Sequence, residues 1–283
     1  MSYRVEDFTY GLELEWSDVD IRTTLPEGAS WSKKEWTLVN SDGTANDPTG
    51  KNTFLGGEIN TVPTPTIKGQ TDIVTELHHL LHPKALYRGS VQTHVGVPGL
   101  VEDIEGLINL FKYTQDNQDF VFFEMLPREP IDPKDYSDKS DLKIAKQYDR
   151  QKNLWTKRGV PPHRVDGILS ATTPKEFYDA HFFLNEETGK RLYHTGIYRA
   201  GINIRSLFSH GTVEFRVFPN SASPSVIMHY LEFSQQFVLA GLTDHSVTAR
   251  DIYESKDWAF AKWPPFNVEL EKGFHATKER PNI

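Results

Sequence analysis

The chain has 283 residues and a formal net charge of −8, with 37% hydrophobic and 25% charged residues. That balance supports one large folded domain with a sizeable core and gives no basis for general nucleic-acid binding. Cysteine is absent, which excludes disulfides, thiolate catalysis and Cys-ligated zinc and fits a reducing compartment.

The first residues, 1–7, carry no apolar signal segment, so a soluble, cytoplasmic protein is expected. Residues 8–16 read as a strand. Alternate side chains of a strand share a face, so Phe8, Tyr10, Leu12, Leu14 and Trp16 point to a core, and Thr9, Gly11, Glu13 and Glu15 point away from it. The two carboxylates then lie roughly 7 Å apart, close enough to repel unless water or a cation lies between them. A second strand is predicted over 54–62, ending at Pro63 and presenting Glu58 and Asn60.

Ile73, Val74, Leu77, Leu80 and Leu81 recur at helical spacing. His78, His79 and His82 fall on that helix; with no third carboxylate ligand beside them they read as surface or packing residues. Residues 91–97 predict a third strand presenting Gln92 and His94, and Ile104, Leu107, Ile108 and Phe111 a second helix. Residues 127–166 are rich in Pro, Asp, Lys and Arg and read as a polar insert with a helix over 141–155. Its basic run, from Lys143 to Arg158, is diluted by Asp149 and reads as a solvated face.

Thr173, Pro174 and Glu176 form a capping-box pattern that predicts a helix through about Phe183. A weaker strand is predicted over 197–204. A fourth clear strand over 212–218 presents Glu214 and Arg216 while Val213, Phe215 and Val217 face the core. Ser223 and Pro224 start a helix burying Ile227, Tyr230, Leu231, Phe237 and Val238. The apolar segment 225–241 is interrupted by His229, Glu232, Gln235 and Gln236, which excludes a membrane span. Residues 258–283, with Trp258, Trp263 and Phe266, read as a C-terminal strap over the core. Strands and helices mix without βαβ alternation, which predicts an α+β fold.

If the strands share one sheet, Glu13, Glu15, Glu58, His94, Glu214 and Arg216 converge on one surface. Carboxylates with one imidazole suit Mg²⁺ or Mn²⁺, and their number suits two or more ions. Arg216 among them suits a phosphoryl group, which its guanidinium matches bidentately; a salt bridge to Glu214 is the structural alternative.

The ordered set Gly11-Leu-Glu-Leu-Glu15, Asp42-Gly43, Gly57-Glu-Ile59 with Pro63, His94, Tyr198 to Asn203 and Thr212-Val-Glu-Phe-Arg216 resembles the amidoligase family, related to glutamine synthetase and glutamate–cysteine ligase. The match runs from Thr9 to Pro219. It implies a single amidoligase-like domain over 1–283, with a glutamine-synthetase-like antiparallel sheet whose concave acidic face is the active site, backed by helices. It further implies an ATP- and Mg-dependent ligase that joins a carboxylate substrate (an amino acid or peptide) to an amine acceptor through an acyl phosphate.

On that resemblance Glu15 and Glu58 would hold one metal. Glu13, His94 and Glu214 would hold another beside the ATP phosphates. Glu58 and Arg216 would be catalytic, and Asn203 and Arg205 would lie near the nucleotide or substrate. The chain departs from the family in having Gly96 where a second His is common, and in the long 127–166 insert; Gln92 is a candidate to make up for the missing imidazole. A metal-dependent phosphotransferase or phosphohydrolase is the first alternative, and a degenerate, non-catalytic nucleotide-binding relative the second.

Overall fold

The computed structural model of this chain describes residues 2–16, 36–40, 57–81, 83, 90–125, 162–181 and 201–262. Outside them lie the expected helix at 141–155 with its basic run, residues 54–56 and 197–200 of two expected strands, and His82.

The strands are β1 (Thr9–Trp16), β2 (Trp36–Asn40), β3 (Gly57–Thr61), β4 (Ser90–Gly96), β5 (Ile202–Asn203) and β6 (Thr212–Pro219). They form one antiparallel sheet in the order β2-β3-β1-β4-β6-β5, five strands extended by the two-residue β5. The helices are α1 (Ile67–Leu81), α2 (Ile104–Phe123), α3 (Pro162–Leu169), α4 (Pro174–Ala180), α5 (Leu207–His210), α6 (Pro224–Thr243), α7 (Ala249–Glu254) and α8 (Ala259–Lys262). The fold is therefore α+β. Among the described residues, no helix is long and apolar enough to cross a membrane.

β1 is central, and its alternation builds the core. Phe8, Tyr10, Leu12, Leu14 and Trp16 are each at most 2% exposed. This face packs against α6, which lies on β4 and is flanked by α1 and α2. From α6, Ile227, Tyr230, Leu231, Phe237 and Val238 are buried as the spacing predicted. Two bonds fasten the end of β1 to the loop before α6: Trp16 Nε1 donates to Ser221 O at 2.9 Å, and Asn220 Nδ2 donates to Glu15 O at 2.9 Å.

Strict alternation fails once, in β6. Thr93 pairs with Phe215 but Val91 pairs with Phe218, so one extra residue of β6 lies opposite Gln92. This bulge brings Phe218 into phase with Phe215 on the core side, where their rings stack 6.3 Å apart and Phe218 stacks on Tyr230 at 4.3 Å. Val217 is buried as well. The bulge sits beside Arg216, within the strand that carries two of the expected site residues.

Helix ends follow local chemistry with one correction. Asp103 caps α2 by accepting from Glu105 N and Gly106 N. Thr173 caps α4 by accepting from Glu176 N, but the reciprocal bond of a capping box is not made: the Glu176 carboxylate accepts from Thr172 N at 2.8 Å instead. The complete box lies at α7, between Thr248 and Asp251. α4 ends at Ala180, before the expected 183. α3 occupies the end of the expected insert. Of the expected strap, Trp258 and Phe260 are buried with rings stacked 5.4 Å apart, and residues 263–283 lie outside the described part.

Candidate functional site

The sheet face away from α6 carries the polar half of each alternation. Directly opposed residues of antiparallel strands share a face, so register decides which groups meet. Glu15 lies opposite Glu58, Glu13 opposite Asn60 and Gln92, Gly11 opposite His94, and His94 opposite Glu214, which in turn faces Asn203. Side chains from five strands thus form one surface; the alternation predicted it for four, and β5 adds Asn203.

At its centre, Glu13, His94 and Glu214 each place a ligand-type atom within 4.8 Å of the others, and they are the one such trio among the described residues. His94 Nε2 is 3.3 Å from Glu13 Oε1. It is buried and makes no aligned hydrogen bond among the described residues. The other ring nitrogen, Nδ1, is 2.9 Å from Thr212 Oγ1, which fixes the ring's orientation.

Glu214 is held from two sides. Asn203 Nδ2 donates to its Oε2 at 2.7 Å, and Arg216 Nη1 donates to its Oε1. The salt bridge that would make Arg216 structural is therefore present, but it uses one edge of the guanidinium. Arg216 Nε is buried without a hydrogen-bond partner among the described residues.

Glu15 is 6% exposed, and its oxygens accept from Ser90 N at 2.9 Å and Gln92 Nε2 at 3.1 Å. Gln92 is thereby turned to Glu15 as a donor. Glu58 Oε1 accepts from Asn60 Nδ2 at 3.0 Å. Arg205 lies just past β5, close enough to the buried His181 for its charge to act on that ring. His78 and His79 sit on α1 in edge-to-face contact with each other and take no part in the trio.

The electrostatics favour a cation. Burial works to raise the Glu13 pKa, but the adjacent His94 and the charges of Arg216 and His210 outweigh it and hold the carboxyl below its ordinary value. Burial likewise opposes the Arg216 charge, and Glu214, Glu13 and Glu15 more than offset it. Among the described residues, four glutamates on this face against one guanidinium leave excess negative charge. Two carboxylates plus a buried, unbonded imidazole nitrogen whose partner nitrogen is oriented by a hydroxyl fit a hard or borderline divalent ion.

Three groups here have no role assigned by the sequence pattern. Thr212 continues the Glu214 and Arg216 alternation, so the same period would have found it. His210 ends α5 and gave no periodic signal. Gly211 after it adopts φ +71°, a left-handed conformation open to glycine, and turns the chain directly into β6. His210 thereby reaches the rim of a cavity of about 170 Å³ that also borders Glu13, Asn60 and His94. Thr9 is the third: a Cβ on Gly96 would lie 2.2 Å from Thr9 Oγ1, so Thr9 takes the room a second histidine side chain would need.

Comparison of the chain with protein-family models, with curated proteins and with solved structures finds no match.

Proposed function

We propose that this protein is an ATP- and divalent-metal-dependent carboxylate–amine ligase on a glutamine-synthetase-like sheet. The observation that carries this is the meeting of Glu13, His94 and Glu214 within 4.8 Å, with Arg216 bonded to Glu214 and its Nε unused. Those three residues would hold Mg²⁺ or Mn²⁺. When bound, the ion would supply positive charge to phosphate oxygens. Glu15 and Glu58, opposed on β1 and β3, are the pair assigned to a second ion, steadied by Gln92 and Asn60.

The chain's own groups divide the rest of the work. The free edge of Arg216 would bind the moving phosphoryl group, where a guanidinium is worth most because water is excluded. Asn203 would keep Glu214 in place. The substrate carboxylate would take the γ-phosphoryl group of ATP and release ADP. The amine nitrogen, after losing a proton to water or a site carboxylate, would then attack the acyl carbon. The carbon–oxygen bond to phosphate breaks, and phosphate leaves with the electron pair.

Hydroxylamine tests this. Given ATP, Mg²⁺ and a mixture of amino acids, diacids and peptides, the protein should release ADP and form a hydroxamate, and Glu214→Ala should not. AMP and pyrophosphate as products would reject the acyl-phosphate route. ATP hydrolysis indifferent to every carboxylate would favour a phosphohydrolase.

A further inference from the structure

The cavity beside the trio is a distinct feature of the face. Its floor is Gly11, the one position in the row Gly11–His94–Glu214 without a side chain. A Cβ on Gly11 would meet only His94 Cβ, at an ordinary 3.6 Å. Room is therefore left open here that an alanine would fill without strain.

The polar wall opposite His94 is Asn60. Its Nδ2 donates to the Glu58 carboxylate. An ionised carboxylate only accepts, so this bond fixes the amide and leaves Oδ1 as the end turned elsewhere. That oxygen is buried and has no hydrogen-bond partner among the described residues. Two of the hydroxyls bordering the cavity are already committed: Thr61 Oγ1 accepts from Leu12 N at 2.9 Å, and Thr212 bonds His94. An unpaired amide oxygen beside Glu13 suits a donor with several N–H groups, and the excess negative charge of the face suits one that is positively charged.

We infer that the cavity over Gly11 is the amine subsite, taking a small primary ammonium group against Glu13 and Asn60. This rests on the ligase reading for its role in a reaction, but not for the binding itself. A cavity of about 170 Å³ suits a methyl- or ethylammonium head or the end of an unbranched amine. Its border with His94 and Glu13 puts the nitrogen next to the groups assigned to the metal. Glu58 acts on it through Asn60, as a positioning residue.

The test is binding of methylammonium chloride, followed by the ring resonances of His94 and His210 at fixed pH and ionic strength, against tetramethylammonium. Methylammonium should give a saturable shift. Tetramethylammonium, which has no N–H donor, should give none. Gly11→Ala should weaken methylammonium binding about tenfold, because its methyl group takes the room the ammonium group would occupy. It should leave Mn²⁺ binding, read by electron paramagnetic resonance, within about twofold of wild type. Asn60→Leu should weaken methylammonium similarly, and serves if Gly11→Ala does not fold. A non-saturating shift, an equal response to tetramethylammonium, or wild-type affinity in both variants overturns the assignment. Methylammonium bound here by a protein that forms no hydroxamate would keep the subsite and reject the ligase. Hydroxamate formation without this binding would do the reverse.

Discussion

His94 and Thr212 stand 2.9 Å apart, ring nitrogen to hydroxyl, on adjacent strands. That contact leaves Nε2 directed at Glu13 and free of any other hydrogen bond. A ligating imidazole is commonly fixed this way, and loss of the orienting partner weakens metal binding about 10–100-fold. Thr212→Val is isosteric and deletes only the hydroxyl's bonding. It should weaken Mn²⁺ binding by about tenfold while the protein stays folded, and Thr212→Ser should restore it. Equal Mn²⁺ affinity in all three proteins, measured by calorimetry, would make the contact merely structural.

The carboxylates of the trio face one another with one counter-charge between them. A bound ion should relieve that repulsion and raise thermal stability. At a hundred times its dissociation constant, an ion bound only to the folded state contributes about 2.7 kcal/mol. Mg²⁺ or Mn²⁺ should therefore raise the melting temperature of the wild type and do little for Glu13→Gln/Glu214→Gln. The apo double variant should melt below apo wild type, because Glu214 and Glu13 offset the burial of the Arg216 charge. A metal response of the same size in both would remove Glu13 and Glu214 from the ligand set.

Much of this face was legible because β1 obeys a period of two along its whole length. Its apolar half fills the core, so the other half had to share one surface. The antiparallel register then set His94 opposite Glu214 and diagonal to Glu13, which alternation alone places on one face but not side by side. Two kinds of feature escaped. β2 is a five-residue edge strand, Trp-Thr-Leu-Val-Asn, too short for its period to stand out. The β6 bulge adds a residue that no periodic pattern encodes, and it carries Phe218 to the core against Tyr230. His210 reaches the cavity through the turn at Gly211, a matter of backbone conformation rather than pattern.

Arg216 separates charge from shape. Lysine at that position keeps a cation beside Glu214 but has neither the Nε–H nor the planar fork. Arg216→Lys should fold, because a cation still faces the buried Glu214 carboxylate, and bind ATP nearly as well as wild type. Turnover in the hydroxamate assay should drop about a hundredfold, the scale of losing one preorganised donor at a developing charge. Near-normal turnover, or failure to fold, would return Arg216 to a structural salt bridge.

His181 ends α4 and is 4% exposed, against the rings of Phe111 and Phe177. Its Nδ1 donates to Phe177 O at 2.8 Å. Burial pushes its pKa down from 6.5 to about 4; the Phe177 bond opposes this, and the Arg205 charge adds to it. The folded protein thus holds a neutral ring that the unfolded chain protonates below pH 6.5. The unfolded state binds more protons in that range, so stability falls as pH drops. The contribution is fully present above 6.5 and is lost progressively down to about 4. Its full size is about 3 kcal/mol, from the conversion of a pKa difference to free energy. His181→Leu removes the titrating group and keeps an apolar filling. Urea unfolding at a series of pH values should show a shallower decline for the variant between pH 6.5 and 4. Any cost of losing the Phe177 bond should appear as a constant offset. Parallel curves for the two proteins across that window would mean that His181 is protonated in the folded state, and that the pocket around it admits water.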